Sequence, residues 1–557
     1  MTMIIALAAL ISPPVMTRPG PPPDTTYVGA IRELTRIIPE FMQRLQVPGA
    51  SIALVDGQRV VWSRGFGHTD LTKRHQVTPE TLFSLQSISK TYTAIGVLRA
   101  IDKGLLQLDD PLKKFLPAFT VRSRLGSDQA DRITIRHLLS HQAGFGHEAP
   151  IGGNFDDRPT TFEDHIRSIS DSWLLFPVGH HYSYSNLGID LAGYVMQVIS
   201  KKPFAAYMKD EVFTPLGMDS STFDQVRAFR HHSIAKGHER DRIVPDLQIV
   251  IVPSGGMYSS VIDMAKFVMF ELANGRVGGR QVLSLERLHE MATPQFSLVE
   301  QQGGYGLGLG VSQQYGTKMQ QHGGGGYGYS TQQTWLPEYQ LGVVVLTNSN
   351  SGIASSLADT AMRLMIRTKY GAIPPNPPLR LTDRPSVSVN AAALRSLEGT
   401  YKPRGGIVRF EVRDGVLHRR TSDTSTVALT ARSPTEFTTQ AVRFTFDIVA
   451  DSVPRGVWML SCCSLEYWSR NDGPQDPPGP ARVEWAGLQG RYRTRIYGGE
   501  LFTDVSVRNG YLYLSWSGGL KLTEHSPGLF FVAGDEAVQL EPRRLVIGNR
   551  PFVKVDP

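Results

Sequence analysis

The feature that most constrains this chain is a serine and a lysine three residues apart at the start of an apolar helix, Ser87 and Lys90. Apolar residues then recur at steps of three and four, which predicts a mostly buried helix. These residues are Ile88, Tyr92, Ile95, Leu98 and Ile101. Residues three apart share a helix face, so Lys90 is expected beside Ser87. If the helix begins at Ser87, free N–H groups and the positive end of the helix dipole favour negative charge at its hydroxyl.

A serine hydroxyl is a weak nucleophile and needs a base in contact with it. A lysine can be that base where burial and neighbouring positive charge favour its neutral form, and an apolar helix supplies the burial. The same pattern recurs at Ser233 and Lys236, but this copy runs straight into Gly237 and opens no predicted helix. We therefore interpret the second copy as a chance occurrence, and Ser87 with Lys90 as the candidate reactive centre.

Length and charge narrow the class of protein. A chain of 557 residues is expected to form about two or three domains. Its formal net charge of +7 is spread without a lysine- or arginine-rich run, so nothing specific predicts nucleic-acid binding. Beyond the N-terminus, no apolar run approaches the roughly 20 residues of a membrane span, and no span is predicted.

The N-terminus leaves the compartment open. Residues 3–11 have the length of the apolar part of a signal peptide, so residues 1–25 are interpreted as a leader. No basic residue precedes that run and no clean cleavage site follows it, so periplasmic or secreted and cytoplasmic locations both stay open. Cys462 and Cys463 are adjacent and cannot form the disulfide framework that would favour export.

Several elements follow from periodicity and turn residues. Residues 27–45 carry apolar side chains on one face and predict a helix. Residues 50–55 and 59–62 flank an Asp-Gly turn and predict an antiparallel hairpin. Residues 133–144 predict a short helix with a threonine cap and a glycine stop.

Two histidines in that short helix raise the question of a metal. His137 and His141 are four residues apart, as in some zinc sites, but no glutamate adjoins them and no third ligand is evident. We interpret them as histidines that pack the helix. The sequence predicts no metal and no cofactor.

Tyr184 and Asn186 lie in a polar, aromatic loop before an apolar helix at 189–199. A tyrosine there can present its phenol to a neighbouring hydroxyl, and an asparagine can donate to a substrate carbonyl. Equally, Tyr184 can be a packed aromatic side chain and Asn186 a helix cap. The sequence leaves both interpretations open.

Two glycine-rich runs follow. Residues 306–310 lack the flanking strand, helix and acidic residue of a dinucleotide site, and we interpret them as a glycine-rich strand. In the second run, His322 precedes four glycines that lead into a hairpin at 334–346. Glycines there let a substrate approach the backbone and leave N–H groups free to hold an oxyanion. A flexible loop is the alternative.

The C-terminal part is predicted to hold two related all-β modules. Proline-rich linkers precede similar openings at 397–401, Leu-Glu-Gly-Thr-Tyr, and at 488–492, Leu-Gln-Gly-Arg-Tyr, and short alternating strands follow each. The predicted boundaries are 26–372 for the first domain, 373–390 for a linker, 391–472 for a β-barrel module, 473–483 for a second linker and 484–557 for a second β-barrel module.

The first domain resembles the serine β-lactamase and penicillin-binding-protein superfamily, in its class C-like branch of esterases and peptidases. Four landmarks occur in the order typical of that family. They are S-x-x-K at Ser87 and Lys90, the LLSHQAG-like run at 138–144, Y-x-N at Tyr184 and Asn186, and H-x-G at His322 and Gly324. The resemblance implies an α+β fold: a β-lactamase-like domain with an antiparallel sheet flanked by helices and an all-helical region, then the two small antiparallel β-barrel modules.

The resemblance also implies roles. Ser87 would be acylated, Lys90 and Tyr184 would share proton transfer as a coupled pair, and the oxyanion would lie between the N–H groups of Ser87 and Gly325. Asn186 and Gly324 would help to bind substrate. No cofactor would be needed.

His322 departs from the β-lactamase pattern. β-Lactamases and D,D-carboxypeptidases carry a lysine there that binds a substrate carboxylate, whereas an imidazole is largely neutral at pH 7. This weakens an antibiotic-hydrolase interpretation and fits esterase, D-aminopeptidase and related peptidase members. The two trailing β modules resemble the three-domain layout of D-aminopeptidases.

Three functions compete. The first is a serine peptidase or amidase acting on small or unusual peptides, with D-residues or derived from cyclic peptides. The second is a carboxylesterase, and the third a penicillin-recognising sensor that is acylated without turnover. A lipase-type triad and a zincin are disfavoured because the sequence has neither G-x-S-x-G nor H-E-x-x-H. The β modules are expected either to limit substrate size or to mediate homo-oligomer formation.

Overall fold

The computed structural model of the protein describes residues 27–555. The gaps within that range are 154–158, 241, 247, 296–302, 377–385, 403–406, 421–424, 440–441, 449–452, 455, 462–464, 471–481, 497–498, 509, 516–519 and 533–536. The predicted leader at 1–25, both cysteines and much of the two predicted linkers therefore lie outside the described residues.

Helices dominate the chain between residues 84 and 292 and frame the sheet at either end of the first domain. In chain order they are α1 (Val28–Arg44), α2 (Ser89–Asp102), α3 (Gln129–Arg132), α4 (Ile135–Leu139), α5 (Phe162–Ser168), α6 (Asn186–Ser200), α7 (Phe204–Met208), α8 (Thr214–Leu216), α9 (Gln225–Phe229), α10 (Val252–Gly255), α11 (Val261–Leu272), α12 (Leu285–Met291), α13 (Ile353–Tyr370) and α14 (Ala391–Leu397). Shorter 3-10 turns are Gln86–Ile88, Leu112–Lys114, Ile169–Asp171 and Val483–Leu488, and Lys209–Phe213 is a π-helical turn.

The strands of the first domain are β1 (Gly49–Asp56), β2 (Arg59–Gly67), β3 (Phe83–Ser84), β4 (His238–Glu239), β5 (Arg242–Ile243), β6 (Tyr258–Ser259), β7 (Arg276–Val277), β8 (Arg280–Gln281), β9 (Gly303–Tyr305), β10 (Gly310–Gln314), β11 (Thr317–Gly326), β12 (Tyr329–Leu336) and β13 (Leu341–Thr347). Seven of them form one antiparallel sheet in the order β2-β1-β13-β12-β11-β10-β9. The predicted N-terminal helix and the first hairpin are confirmed by α1, β1 and β2.

The sheet is closed by strands from opposite ends of the domain. β1 pairs with β13 from Ala50 with Thr347 to Asp56 with Leu341. Helices cover both faces: α13 and α1 pack on one side, and α11 on the other. All residues of β12 and β13 are consequently buried, as expected for strands covered on both faces.

The helical region surrounds α2. This helix contacts α6 and α10, and α6 in turn contacts α4 and α10. Apart from Arg99 and Asp102, every residue of α2 is buried. The predicted buried helix is therefore confirmed, and its N-terminal end lies where the sheet and the helical region meet.

The C-terminal strands form two further antiparallel sheets. The first contains β14 (Gly399–Lys402), β15 (Val408–Arg413), β16 (Val416–Arg420), β17 (Thr426–Ala428), β18 (Thr430–Ala431), β19 (Glu436–Thr438), β20 (Val442–Asp447), β21 (Gly456–Ser461) and β22 (Leu465–Arg470). The second contains β23 (Gly490–Ile496), β24 (Gly499–Arg508), β25 (Tyr511–Leu514), β26 (Leu520–Lys521), β27 (Thr523–Ser526), β28 (Leu529–Phe531), β29 (Ala537–Glu541), β30 (Arg544–Ile547) and β31 (Arg550–Lys554).

The two sheets have the same topology. Their orders are β17-β16-β15-β14-β22-β21-β20-β19-β18 and β26-β25-β24-β23-β31-β30-β29-β28-β27. In each sheet the two edge strands are consecutive in the chain and are separated by one buried leucine, Leu429 or Leu522. Each sheet therefore curls into a nearly closed barrel. The shared openings are equivalent too, because Tyr401 and Tyr492 each donate a hydroxyl hydrogen bond to the carbonyl four residues earlier.

The second barrel contacts the helical region of the first domain. Asn549, in the turn between β30 and β31, donates to the Glu148 carbonyl at 2.6 Å and to Ser172 Oγ at 3.1 Å. Phe531 lies edge-on to Trp173, with ring centroids 5.4 Å apart. This contact fixes the turn of the second barrel against the segment around residue 148.

Two predictions about local structure are wrong. The glycine-rich run 306–310 is mainly the turn between β9 and β10 rather than a strand, with Gly308 at a φ of 72°. The short helix after Thr134 ends at Leu139, before the expected glycine stop at Gly144, although Thr134 caps it as predicted.

Among the described residues, no helix is long and apolar enough to cross a membrane.

A buried acid in the core predicts a pH-dependent stability. Burial raises the pKa of Glu271, on α11, to about 8, and its Oε1 has no hydrogen-bond partner among the described residues. The folded protein therefore keeps a proton that the unfolded chain loses near its ordinary pKa of about 4.5. Because the folded state binds more protons, the free energy of unfolding is expected to fall as pH rises from about 4.5 to about 8.

Replacing this acid by Glu271→Gln should remove that dependence. Between about pH 5 and pH 8 we expect the wild type to lose on the order of a few kcal/mol more stability than the variant. Urea unfolding at a series of pH values measures the difference. The exposed Glu286→Gln is the matched control and should follow the wild type; parallel curves for Glu271→Gln and wild type would contradict the prediction.

Candidate active site

The segment that carries Ser87 bends sharply between a strand and a helix. After β3 ends at Ser84, Gln86 adopts a left-handed backbone conformation with a φ of 52°, which is disfavoured for a residue with a side chain. Gln86 Nε2 donates to Ser84 Oγ at 2.7 Å, a local bond that supports the bend. The 3-10 turn Gln86–Ile88 follows, and α2 begins at Ser89, two residues after Ser87. Ser87 is half-buried at this bend.

Lys90 is completely buried beneath Ser87. Its Nζ donates to Asn186 Oδ1 at 2.8 Å and to the Ser254 carbonyl at 2.9 Å. These two oxygens can only accept, so each takes one N–H of the nitrogen. The remaining position of Nζ faces Ser87 Oγ at 3.0 Å. There an ammonium donates and a neutral amine accepts, so the arrangement allows a proton to pass between the two groups.

Tyr184 approaches the same lysine from the loop before α6. Its ring centroid lies 4.8 Å from Lys90 Nζ. The ring is also 4.5 Å from that of His141 and stacks on His147 at 5.7 Å. Its hydroxyl makes no hydrogen bond to any residue in the described part of the chain. Tyr184 is thus a packed aromatic side chain whose phenol has no hydrogen bond within the described residues, and it meets Lys90 through its ring.

His322 closes the other side of the site from β11. It is buried, and its Nδ1 lies 2.6 Å from the Gly323 carbonyl. A carbonyl cannot donate, so the proton lies on Nδ1, and Nε2 accepts from the Tyr305 hydroxyl at 2.9 Å. Burial, followed by the charge of Lys90, lowers the pKa of His322 to about 3. The imidazole is therefore neutral at pH 7, as the sequence analysis expects.

His141, for which the sequence predicts only helix packing, lies in the site. It lies beyond the end of α4, has a left-handed φ of 60° and is buried against Tyr184. Its Nδ1 accepts the Ser185 N–H at 3.2 Å, so its proton lies on Nε2, which finds no partner among the described residues. Burial, followed by the charge of Lys90, holds the pKa of His141 well below its usual range. The spacing to His137 suggested helix packing, whereas His137 instead completes the cap of α4.

The glycines after His322 differ in the space around them. A Cβ on Gly324 would lie 2.0 Å from the Leu85 carbonyl oxygen, whereas a Cβ on Gly325 would meet nothing within 4 Å. β10 pairs with β11 only as far as Gln321, so no strand of the described residues pairs with this edge of β11 at the glycines. A substrate has room there to lie along the backbone.

The structure brings together most of the predicted residues. Ser87, Lys90 and Asn186 are joined by direct hydrogen bonds, and the rings of Tyr184 and His322 lie 6.4 Å apart. The amide oxygen of Asn186 accepts from Lys90, so the predicted contact of Asn186 with a substrate would have to use its amide nitrogen.

The second S-x-x-K copy does not form a pair. Lys236 forms an ion pair with Asp246, and Ser233 Oγ lies 2.9 Å from Thr81 Oγ1. Within the described ranges, no cluster of three or more histidine, cysteine or acidic side chains is arranged to hold a metal.

Comparison with known proteins agrees with this geometry. The family model described as Beta-lactamase matches residues 34–364. The Aspergillus campestris protein named unguisins hydrolase ungD' is 27% identical over 350 residues, covering 59% of this chain and 64% of that protein. Protein flp of Staphylococcus aureus strain MW2 is 27% identical over 246 residues, covering 43% of this chain and 49% of its own length. The chain thus spans about half the length of the staphylococcal relatives that it matches.

Solved structures show the same fold. An octameric penicillin-binding protein homologue from Pyrococcus abyssi has a TM-score of 0.53 at 22% identity and covers 88% of this chain and 99% of its own. EstCE1, a hydrolase with promiscuous acyltransferase activity, has a TM-score of 0.53 at 21% identity, covering 61% of this chain and 99% of its own. SurE with D-Leu has a TM-score of 0.54 at 21% identity, covering 80% of this chain and 100% of its own.

The close approach at Gly324 predicts the effect of an added methyl group. Gly324→Ala should displace the Leu85 segment that leads to Ser87, at a cost of about 1–3 kcal/mol in stability. We expect kcat/KM for an activated ester to fall about tenfold or more, because Ser87, the predicted nucleophile, moves. Ester hydrolysis and thermal unfolding measure the two effects. Gly29→Ala, in open space on α1, is the control and should leave activity unchanged; full activity of Gly324→Ala would contradict the prediction.

Proposed function

The chain belongs to the β-lactamase family of serine hydrolases, and from that premise we propose that it hydrolyses its substrate through an acyl-enzyme on Ser87. The observation that carries this proposal is the environment of Lys90. Two acceptor oxygens fix two of its three hydrogen-bonding positions, and the third faces Ser87 Oγ at 3.0 Å. A buried amine held in this way is oriented to take the serine proton.

The proposed reaction has two halves. In the first, the Ser87 proton passes to the unit of Lys90 and Tyr184, Oγ bonds to the substrate carbonyl carbon, and the bond to the leaving group breaks as that group takes the proton. In the second, water attacks the ester carbonyl, its proton passes to the same unit, and Ser87 Oγ leaves with a proton. Lys90 and Tyr184 are treated as one unit because the Tyr184 ring centroid lies 4.8 Å from Lys90 Nζ.

The oxyanion is proposed to lie between the N–H groups of Ser87 and Gly325. Two observations support this position. The Ser87 N–H belongs to the first turn ahead of α2, where the helix dipole favours negative charge. The space around Gly325 is open, so a carbonyl oxygen can come close to its backbone.

We propose peptides as the substrate class, small or unusual ones with D-residues or derived from cyclic peptides. The neutral, buried His322 offers no permanent positive charge for a substrate carboxylate. The rings of His141, Tyr184 and Tyr305 provide an aromatic wall beside the serine instead. The relative named a hydrolase of unguisins and the similar structure that holds D-Leu add support.

A carboxylesterase is the second candidate. The same acyl-enzyme serves both functions, which differ in the leaving group, and the likeness to EstCE1 favours this candidate. Relative kcat/KM for a matched ester and D-amino-acid amide decides between them. A penicillin-recognising sensor would be acylated once without turnover, so steady multiple turnover excludes it.

Loss of the nucleophile tests the proposal directly. Ser87→Ala should lower hydrolysis of a peptide, amide and p-nitrophenyl ester panel by at least about a thousandfold, because the acyl-enzyme no longer forms. Ser233→Ala makes the same change in the unpaired S-x-x-K copy and should retain full activity. Mass spectrometry after labelling with a fluorophosphonate should locate the adduct on Ser87. Undiminished hydrolysis by Ser87→Ala would remove the proposed function.

We also propose that the chain is divided at the predicted boundaries and that the second barrel, 484–557, limits substrate size. Asn549 donates to the carbonyl of Glu148, and His147, the residue before Glu148, stacks on Tyr184. The barrel thus supports a wall of the site. Homo-oligomer formation through the modules is the alternative role, for which the octameric Pyrococcus structure is a precedent.

Asn549→Ala separates these two roles in the full chain. If the turn supports the wall, the ratio of kcat/KM for a long peptide to that for a short one should rise about threefold or more, while the mass in solution stays unchanged. Light scattering after gel filtration measures that mass. Asn390→Ala, which removes an exposed asparagine that caps α14, is the control for loss of a surface amide. A changed mass with an unchanged ratio would favour the oligomer role.

A further inference from the structure

A buried pair of ionisable side chains lies behind Lys90, and the proposed mechanism does not use it. His165 on α5 and Asp190 on α6 both have 0% of their side-chain surface exposed, and His165 Nε2 lies 3.2 Å from Asp190 Oδ2. A buried charge is costly unless its partners are in place. The question is therefore what Asp190 holds.

Asp190 holds one of the two fixed acceptors of Lys90. Its Oδ1 accepts the Ser254 N–H at 2.9 Å, and the carbonyl of the same Ser254 accepts from Lys90 Nζ at 2.9 Å. Asn186, the other acceptor, lies four residues earlier on α6 and so on the same face. One face of α6 therefore controls both oxygens that orient the amine.

Ser254 lies on α10, a helix of four residues that cannot hold its own position. Two neighbouring helices fix it. Asp190 binds the Ser254 N–H, and Thr93 on α2 donates its hydroxyl to the Pro253 carbonyl at 2.7 Å. The Ser254 carbonyl points at Lys90 because α10 is tied on both sides.

The proton count of the pair follows from its partners. His165 Nδ1 lies 2.8 Å from the Ile151 carbonyl, which can only accept, so Nδ1 carries a proton. The contact between Nε2 and Asp190 then needs one further proton, which the two groups share. Burial alone would disfavour protonation of the imidazole, but the hydrogen bond and charge of Asp190 outweigh it and raise the pKa of His165. Asp190 thus keeps both oxygens as acceptors without leaving an unpaired charge.

We propose that Asp190 is a positioning residue for the serine–lysine pair: through Ser254 it aims one acceptor at Lys90, and His165 keeps its carboxylate in place. This inference rests on the proposed function of Ser87 and Lys90. Without this anchor the Ser254 carbonyl is free to shift, and the third position of Lys90 Nζ no longer points at Ser87 Oγ. The effect falls on the chemical step and not on substrate binding, because Asp190 lies behind the lysine.

The test compares three variants of the full chain. Asp190→Ala should lower kcat about tenfold or more for an activated ester, with KM within about twofold of the wild type. Asp190→Asn should recover most of kcat, because its amide oxygen can accept the Ser254 N–H and its amide nitrogen can donate to a neutral His165. Asp263→Ala is the matched control: this buried carboxylate also accepts backbone N–H groups, those of Ser220 and Ser221. It should lower the melting temperature with kcat per folded molecule unchanged.

Folded fractions are measured by circular dichroism at the assay temperature. If Asp190→Ala does not fold, Asp190→Ser replaces it, with a hydroxyl one bond shorter than the carboxylate. A kcat for Asp190→Ala equal to that of Asp263→Ala would overturn the inference, as would Asp190→Asn as slow as Asp190→Ala. Ser87→Ala separates failure of the positioning role from failure of the proposed function. If Ser87→Ala abolishes turnover while Asp190→Ala leaves kcat unchanged, only the positioning role fails.

Discussion

The burial of Lys90 is the constraint on which the rest of the site depends. An amine removed from water is tolerated only where acceptors are aimed at it from fixed positions. Here two fixed acceptors, Asn186 in the first turn of α6 and Ser254 on α10, are joined by the Ser87 hydroxyl at the bend. The helical region has to hold α2, α6 and α10 in mutual contact, because a shift of any of them leaves a buried donor without a partner.

The sheet supplies the opposite side of the site for a different reason. β11 extends past the end of β10, so among the strands that the structure describes its last residues pair with β12 alone. A bare strand edge is usually protected, since it invites pairing with another chain. In this protein the unpaired part is glycine-rich, and Gly324 packs directly on the Leu85 carbonyl before the bend that leads to Ser87. The contact of Gly324 with the Leu85 carbonyl therefore joins the edge of β11 to the segment that carries Ser87.

Features that depend on neighbours in sequence could be predicted, and those that depend on tertiary contacts could not. The apolar period of α2, the hairpin of β1 and β2, and the repeated openings of the two barrels are local patterns, and each corresponds to an observed element. Asp190 and Ser254 carry no local signal, because their importance arises from contacts with residues far apart in the chain. His141 was misassigned since an i, i+4 spacing implies a continuous helix, whereas its left-handed φ places it beyond the helix end.

The two barrels show which features follow from a repeated sequence pattern. Both have the same strand order, the same one-leucine corner and the same tyrosine hydrogen bond, so their shared sequence pattern encodes the barrel. Their use differs. In the second barrel, Asn549 occupies the turn between β30 and β31 and reaches the Glu148 carbonyl, one residue from the histidine that stacks on Tyr184. A turn residue contributes little to closing a barrel, so selection on the fold alone leaves it free to vary. The second barrel therefore reaches the first domain through a turn, at Asn549, and through a strand, at Phe531 of β28.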